Sequence, residues 1–127
     1  MNEKKLLGEE TVVEYVANRL KFDTVTTHHI LQKHPAVFKV RVTKIKEILD
    51  YLIHEAKFTN SEIASNIRIL CHSLKTTKQR IFELASHGCR PSSLVIVCKS
   101  SNEYQKFLNN WLLVRQNLMN NNVIDIR

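Results

Sequence analysis

The sequence predicts an all-α fold built from helical-hairpin repeats, and two observations lead to this prediction. First, the stretch from His28 to Pro91 repeats itself at an offset of 33 residues. The matching apolar pairs are Ile30 with Ile63, Val37 with Leu70, Ile48 with Ile81, Leu49 with Phe82, and Tyr51 with Leu84. Second, only two glycines and two prolines occur in 127 residues, which favours long helices over a sheet of short strands. Because such a unit cannot bury its apolar face alone, we expect successive units to stack.

The period divides the chain into units of about 31–33 residues within one domain, 1–127. A chain of 127 residues suits a single domain with a modest core. The predicted divisions are a half repeat over 11–24, repeats over 25–58 and 59–90, a partial repeat over 91–119 and a tail over 120–127.

The opening helix is predicted to begin near Thr11, after a polar segment, since acidic residues favour a helix N-terminus. Its apolar stripe contains Val12, Val13, Val16 and Leu20. Phe22 follows this helix as Phe58 follows the next long one. The opening helix therefore looks like the second half of an earlier repeat.

Polar residues just before each apolar stretch are the candidate helix caps. They are Thr26 or Thr27, Thr43, Asn60 or Ser61, and Ser100, Ser101 or Asn102. Pro35 is expected to end the short helix of the first repeat, because the residue before a proline avoids the helical region. His87-Gly88 is expected to end the second long helix.

The segment 94–98 is open to two interpretations. Its β-branched residues could form a strand, but its position within the period predicts a helix. The last helix has an apolar stripe at helical spacing: Tyr104, Phe107, Leu108, Trp111, Leu112 and Leu118. Phe38, Phe82 and Phe107 are predicted to lie in the core.

The net charge of +7 is concentrated in the second half of the chain. Residues 1–64 hold ten basic and nine acidic residues, a net of +1, whereas residues 65–127 hold nine and three, a net of +6. This asymmetry indicates an anionic partner, of which nucleic acid is the commonest. The alternative is a passive, solvated basic surface.

Other classes of function have little support in the sequence. The three cysteines are an odd number and lack the paired spacing of a structural zinc site. No phosphate loop, nucleophile elbow or zinc-protease motif occurs. No apolar run approaches the roughly 20 residues of a membrane span. We therefore predict no catalytic residues, no metal, no cofactor and no membrane partner.

Two basic clusters fall at the turn and at the start of the long helix in successive repeats. Stacking of the repeats would align them along one edge, where cations could neutralise the phosphates of a duplex. The predicted nucleic-acid-binding residues are Lys39, Arg41, Lys44, Arg68, Lys75, Lys78, Arg80 and Lys99. Lys44 and Lys78 open their helices on the polar side.

The first repeat also resembles a known family. A short apolar helix runs into His34-Pro35, the pair Val37-Phe38 follows, and the next helix carries its apolar residues at leucine-type spacing: Ile45, Ile48, Leu49 and Leu52. This pattern resembles the repeat of the mitochondrial transcription termination factor (mTERF) family. The second repeat departs from it, because Arg68 stands at the proline position at an offset of 33.

The resemblance implies a curved or right-handed α-solenoid, and a chain that is a fragment of a longer family member with an organelle presequence outside it. It implies a mitochondrial matrix protein that binds double-stranded nucleic acid, mitochondrial DNA in particular, and acts in transcription termination or regulation. It also permits an alternative, an organellar scaffold that binds ribosomal RNA or a protein of the transcription or ribosome machinery.

Overall fold

A computed structural model describes residues 2–91 and 93–125, with side chains for residues 10–91 and 93–120. All regular structure in these ranges is helical, which confirms the all-α prediction. The α-helices are α1 (Asn2–Leu20), α2 (Thr24–Gln32), α3 (Val42–Asp50), α4 (Asn60–Ala64), α5 (Leu74–Ser86) and α6 (Ser101–Asp125).

Short helices of other pitch complete the chain. Three 3₁₀ turns span Pro35–Lys39, Ile67–Cys71 and Leu94–Ile96, and a π-helical turn over Tyr51–Glu55 extends α3. We refer to the first, second and third 3₁₀ turns in chain order. The third confirms that the β-branched segment is helical. Its backbone is held by Ser93, whose hydroxyl accepts from the Val95 amide at 3.2 Å.

The first two units have the same local geometry at an offset of 32 residues, so the predicted offset of 33 was wrong by one. His34 and Asn66 precede the first and second 3₁₀ turns with φ of −135° in both and ψ of 68° and 49°. Their amides donate to the carbonyls of Leu31 at 2.9 Å and Ile63 at 3.0 Å. Leu31 and Ile63 are both fully buried, as expected for equivalent core positions.

The corrected offset explains why Phe82 was misplaced. Its side chain is 74% exposed, although it was predicted to lie in the core. At an offset of 32 it matches Asp50, a polar position on the outer face of α3, rather than buried Leu49. Leu118, also assigned to an apolar stripe, is 55% exposed near the end of α6.

For most helices, the observed capping residue lies one to four residues before the predicted cap. Asp23 caps α2 by accepting from the Thr26 amide at 2.6 Å, and Thr59 caps α4 in a reciprocal capping box with Glu62. Arg41 precedes α3, which places Thr43 inside the helix. At α6 the prediction is confirmed, because the Ser100 hydroxyl accepts from the Glu103 amide at 3.2 Å. The opening helix extends back to Asn2 rather than starting near Thr11.

Three long helices end in the same way, on a residue with positive φ. These residues are Lys21 (64°), Lys57 (62°) and Gly88 (79°). The next residue then donates its amide back into the helix, as Phe22 does to the Ala17 carbonyl at 3.0 Å. The predicted end at His87-Gly88 is confirmed. The tail 120–127 continues α6 to Asp125, and its side chains beyond residue 120 lie outside the described residues.

The units pack side by side on a shared core. The first 3₁₀ turn packs against the second, and α1 packs against α2, α3 and α4. Val37 and Ile69, at equivalent positions of the first two 3₁₀ turns, are both fully buried. A smaller cluster joins α5 to α6 through Leu84, Tyr104 and Leu108. Among the described residues, no helix has the length and apolar surface that a bilayer crossing needs.

Polar contacts tie each unit to the next. Arg19 at the end of α1 places Nη2 2.6 Å from Oδ1 of Asp50 on α3, and Lys46 Nζ lies 2.8 Å from Oδ2. The guanidinium of Arg90 donates to the Lys57 carbonyl at 3.1 Å. These contacts connect the C-terminal part of one unit with its neighbour.

A buried hydroxyl provides a test of the core. Thr77 on α5 is 1% exposed, occupies the position of buried Ile45, and has an Oγ1 with no hydrogen-bond partner in the described structure. Thr77→Val removes this unsatisfied group without changing the shape, so we expect the free energy of unfolding to rise by about 1 kcal/mol. Urea denaturation measures it, with the more exposed neighbour Thr76→Val as control. A drop in stability would contradict the assignment.

Acid sensitivity tests the contact between α1 and α3. Hydrogen bonds from Lys46 and Arg19 hold the pKa of Asp50 below its ordinary value. Its stabilising effect is therefore present above the unfolded pKa of about 3.9 and is lost as pH falls through the folded value. Asp50→Asn should lower the melting temperature at pH 7 and flatten its fall below about pH 4. Glu47→Gln, exposed on the same helix, should leave that profile unchanged.

Candidate nucleic-acid interface

The long helices α3, α5 and α6 begin on one side of the molecule. The first and second 3₁₀ turns pack together just before α3 and α5. The N-terminal part of α5 also shares a cleft with the first turn of α6, and the π-helical turn that extends α3 shares a groove with the C-terminal half of α5 on the other side. We call the first two turns of these three helices, with the 3₁₀ turns that precede them, the N-terminal edge.

The positive charges of three predicted binding residues act on a single histidine on this edge. His72 lies between the second 3₁₀ turn and α5 and is half-buried. Burial lowers the pKa of its imidazole, and the positive charges of Arg68, Arg80 and Lys44 lower it further. These cations come from both units, so the fold concentrates positive charge at the junction between them.

The two arginines of this cluster are held by contacts within the chain. Arg80 donates from Nη1 to the carbonyls of Val97 at 2.9 Å and Lys99 at 2.7 Å. Arg68 is half-buried beside the Cys98 thiol; burial raises the pKa of that thiol and the hydrogen bond from Arg68 opposes the rise. Both charges are therefore fixed in position, and Arg80 has little freedom to turn towards a ligand.

The lysines and Arg41 are more accessible. Lys39, Arg41, Lys75 and Lys78 are exposed and Lys44 is half-exposed. Among the described side chains, none of these five makes an ion pair with a carboxylate. Lys78 lies with Nζ 5.2 Å from the centre of the Tyr51 ring, a contact that orients the ammonium without neutralising it. These residues can offer their charge to an external anion.

Lys99 differs from the others because a carboxylate lies near it. Its Nζ is 3.8 Å from Oε2 of Glu103 on the first turn of α6, and both side chains are partly exposed. An exposed pair of this kind contributes little and can exchange partners. Lys99 follows the third 3₁₀ turn as His72 follows the second, so it extends the edge into α6.

The corrected offset changes how the basic residues correspond between units. At 32 residues only Lys46 and Lys78 match directly, and Lys46 is paired with Asp50. The two clusters therefore share a region of the fold rather than identical positions. His72 was not assigned to this region from the sequence alone. With the offset of 32 known, its place between a 3₁₀ turn and the Ser73 cap of α5 identifies it as part of the edge.

The cysteines do not form a reactive or metal-binding group in the described residues. Cys71, Cys89 and Cys98 are free thiols, and burial raises the pKa of each. A raised pKa keeps a thiol protonated and unreactive at neutral pH. No group of three potential metal ligands occurs within the part of the chain that the structure describes.

Comparison with known proteins places this geometry in a family. The family model described as mTERF matches residues 10–105. The chain is 62% identical over 118 residues to the "Transcription termination factor, mitochondrial" of Drosophila melanogaster, which covers 92% of the chain and 29% of that relative. It is 29% identical over 75 residues to the "Transcription termination factor 5, mitochondrial" of the same species, which covers 59% and 13%.

The chain thus spans less than a third of the length of these curated relatives. No solved structure is significantly similar to it. The family model extends from α1 to the first turn of α6, and so includes both complete units and the N-terminal edge. On the extent of this match, the chain belongs to the mTERF family.

Proposed function

We propose that this chain is a segment of a mitochondrial matrix protein that binds double-stranded nucleic acid, mitochondrial DNA in particular, through its N-terminal edge. The observation that carries the proposal is that the packed 3₁₀ turns bring basic residues of both units to one edge, where the charges of Lys44, Arg68 and Arg80 all act on His72. Like charges gathered at one edge create a positive field that attracts an anion. A phosphate is the anion that a row of such cations best accommodates.

The role is termination or regulation of mitochondrial transcription. The relative that is 62% identical is named a mitochondrial transcription termination factor. A protein bound along a duplex can obstruct a polymerase without performing any chemistry. The units described here would form part of a curved solenoid, in which further repeats extend the N-terminal edge and add phosphate contacts. Affinity would then increase with the number of units.

The exposed basic residues and those held by neighbouring groups would contribute to binding in different ways. Four exposed residues can reach phosphates directly: Lys39, Arg41, Lys75 and Lys78. Lys44 is half-exposed and also belongs to the group of cations that acts on His72. Arg68 and Arg80 are held by neighbouring groups and supply a fixed positive field. The N-termini of α3 and α5 direct backbone amides towards the same edge. Binding of this type depends on the backbone of the duplex and varies steeply with salt.

A second candidate function is a scaffold for a protein partner or ribosomal RNA, and an apolar groove favours the protein partner. The groove has a volume of about 460 Å³ and lies between the π-helical turn that extends α3 and the C-terminal half of α5. Its lining includes Tyr51, Phe58 and Ile81, with the exposed ring of Phe82 beside them. Salt-insensitive binding of a protein that Phe82→Ser abolishes would support this function over the first.

Charge reversal tests the N-terminal edge. Lys44→Glu with Lys78→Glu should weaken duplex binding by at least about tenfold near 0.1 M salt. The double variant should also make the negative slope of log K against log salt shallower by about two. The measurement is a salt titration of binding to duplex DNA and duplex RNA, with circular dichroism to confirm the fold.

The matched control is Lys21→Glu with Lys57→Glu. It makes the same change in net charge at the other ends of α1 and α3, about 20 Å along the helix from the edge. This control should bind nearly as well as the unmodified chain. Equal losses in both double variants would mean that net charge alone governs binding and would overturn the edge as the site.

His72 provides an independent test through its protonation. Phosphate placed among the cations would offset their charge, so binding should raise the lowered pKa of His72. Linkage then requires that affinity increase as pH falls through the range near and below about 6.5. The imidazole can be followed by NMR with and without duplex, and His72→Asn should remove this part of the pH dependence. His54→Asn, exposed on the π-helical turn, should leave it intact.

A further inference from the structure

A polar cleft beside the N-terminal edge has a composition that differs from the cationic surface around it. It lies between the N-terminal halves of α5 and α6 and has a volume of about 480 Å³. The amide side chains of Gln79 and Gln105 line its walls, and Arg80, Glu83 and Tyr104 lie deeper. Lys75 lies one turn before Gln79 on α5, so the cleft opens beside this exposed lysine.

The inner part of the cleft is held by a connected set of contacts. The Tyr104 hydroxyl donates to Oε1 of Glu83 at 2.6 Å, and the guanidinium of Arg80 lies 4.7 Å from the centre of the Tyr104 ring. Burial and the Glu83 carboxylate both raise the pKa of Tyr104, which keeps its proton in place. Arg80 is anchored on the carbonyls of Val97 and Lys99. The cleft is therefore pre-organised and need not be ordered by a ligand.

The charges in the cleft disfavour a phosphate. Arg80 already satisfies carbonyl acceptors, and the Glu83 carboxylate would repel an anion at close range. The same carboxylate retains acceptor capacity after the hydrogen bond from Tyr104, since a carboxylate accepts several such bonds. The complementary ligand carries hydrogen-bond donors together with acceptors and no net charge at the point of contact.

The two amides add paired donors and acceptors. Gln79 is exposed, and Gln105 donates from Nε2 to Oδ1 of Asn109 at 3.1 Å, which leaves its carbonyl oxygen free to accept. A glutamine amide pairs with the N6 and N7 edge of adenine, and a glutamate accepts from the N4 amino group of cytosine. A nucleobase edge thus matches the chemistry of the cleft.

We propose that Gln79 and Gln105 determine sequence preference by reading base edges, with Glu83 as a fixed acceptor, while Lys75 and Lys78 bind the adjoining phosphates. The inference deepens the proposed function and rests on it. It assigns affinity and sequence preference to different side chains, since phosphate contacts position a protein and base contacts specify sequence.

Selection from a random duplex library tests the assignment. Gln79→Ala with Gln105→Ala should reduce the ratio of the affinity for the preferred duplex to the affinity for random duplexes by about 5- to 100-fold. The salt slope for duplexes of unrelated sequence should change far less. Gln116→Ala, exposed farther along α6, is the control and should keep the preference. Gln79→Glu should shift the preferred base from adenine towards cytosine, a change that a merely structural role would not produce.

The outcomes separate this inference from the proposed function. A double variant that retains the full preference overturns the reading role, as does one that weakens all duplexes equally. An unmodified chain that binds duplexes with steep salt dependence but without preference overturns the reading role and leaves the proposed function standing. An unmodified chain that binds no duplex at all overturns both.

Discussion

The packing of the first 3₁₀ turn against the second is the contact on which the rest of the structure depends. The first turn inserts Val37 into the shared core, and the second inserts Ile69 and Leu70, all of them fully buried. A 3₁₀ turn is short and tight, so it fixes where the next helix begins with little freedom. Because the two turns pack directly, the starts of α3 and α5 are brought to the same edge. Every property of that edge follows from this register.

The first consequence is electrostatic. Packing of the units lets the positive charges of Lys44, Arg68 and Arg80 act on His72, whose pKa is lowered first by burial and further by these charges. The fold tolerates the cluster because Arg80 is satisfied by carbonyls and the lysines remain in water. A solvated cation retains most of its hydration, and an arriving phosphate replaces weakly held counterions. The edge is therefore stable in isolation and still favourable to an anion.

The second consequence is that the two sides of the stack differ in chemistry. Helix N-termini, cations and amides occupy one side, whereas the π-helical turn that extends α3 and the C-terminal half of α5 leave an apolar groove on the other. At the α1–α3 junction the position equivalent to Phe82 is Asp50, which forms ion pairs with Arg19 and Lys46. At the α3–α5 junction the aromatic side chain stays exposed. The same architecture thus presents a basic surface and an apolar surface at once.

Local sequence determined the helical class and the Gly88 end, because each depends on neighbours within a few residues, and it narrowed the α6 cap to Ser100, Ser101 or Asn102. It left the other caps ambiguous, since several polar residues in a row can each satisfy an N-terminal amide. Tertiary structure decided the register: offsets of 32 and 33 both match apolar residues, and only burial separates Leu49 from Phe82. It also decided the position of Arg80, whose acceptors lie 17 and 19 residues away along the chain. Contacts between distant residues depend on how the units pack, and a pattern read along the chain does not contain that packing.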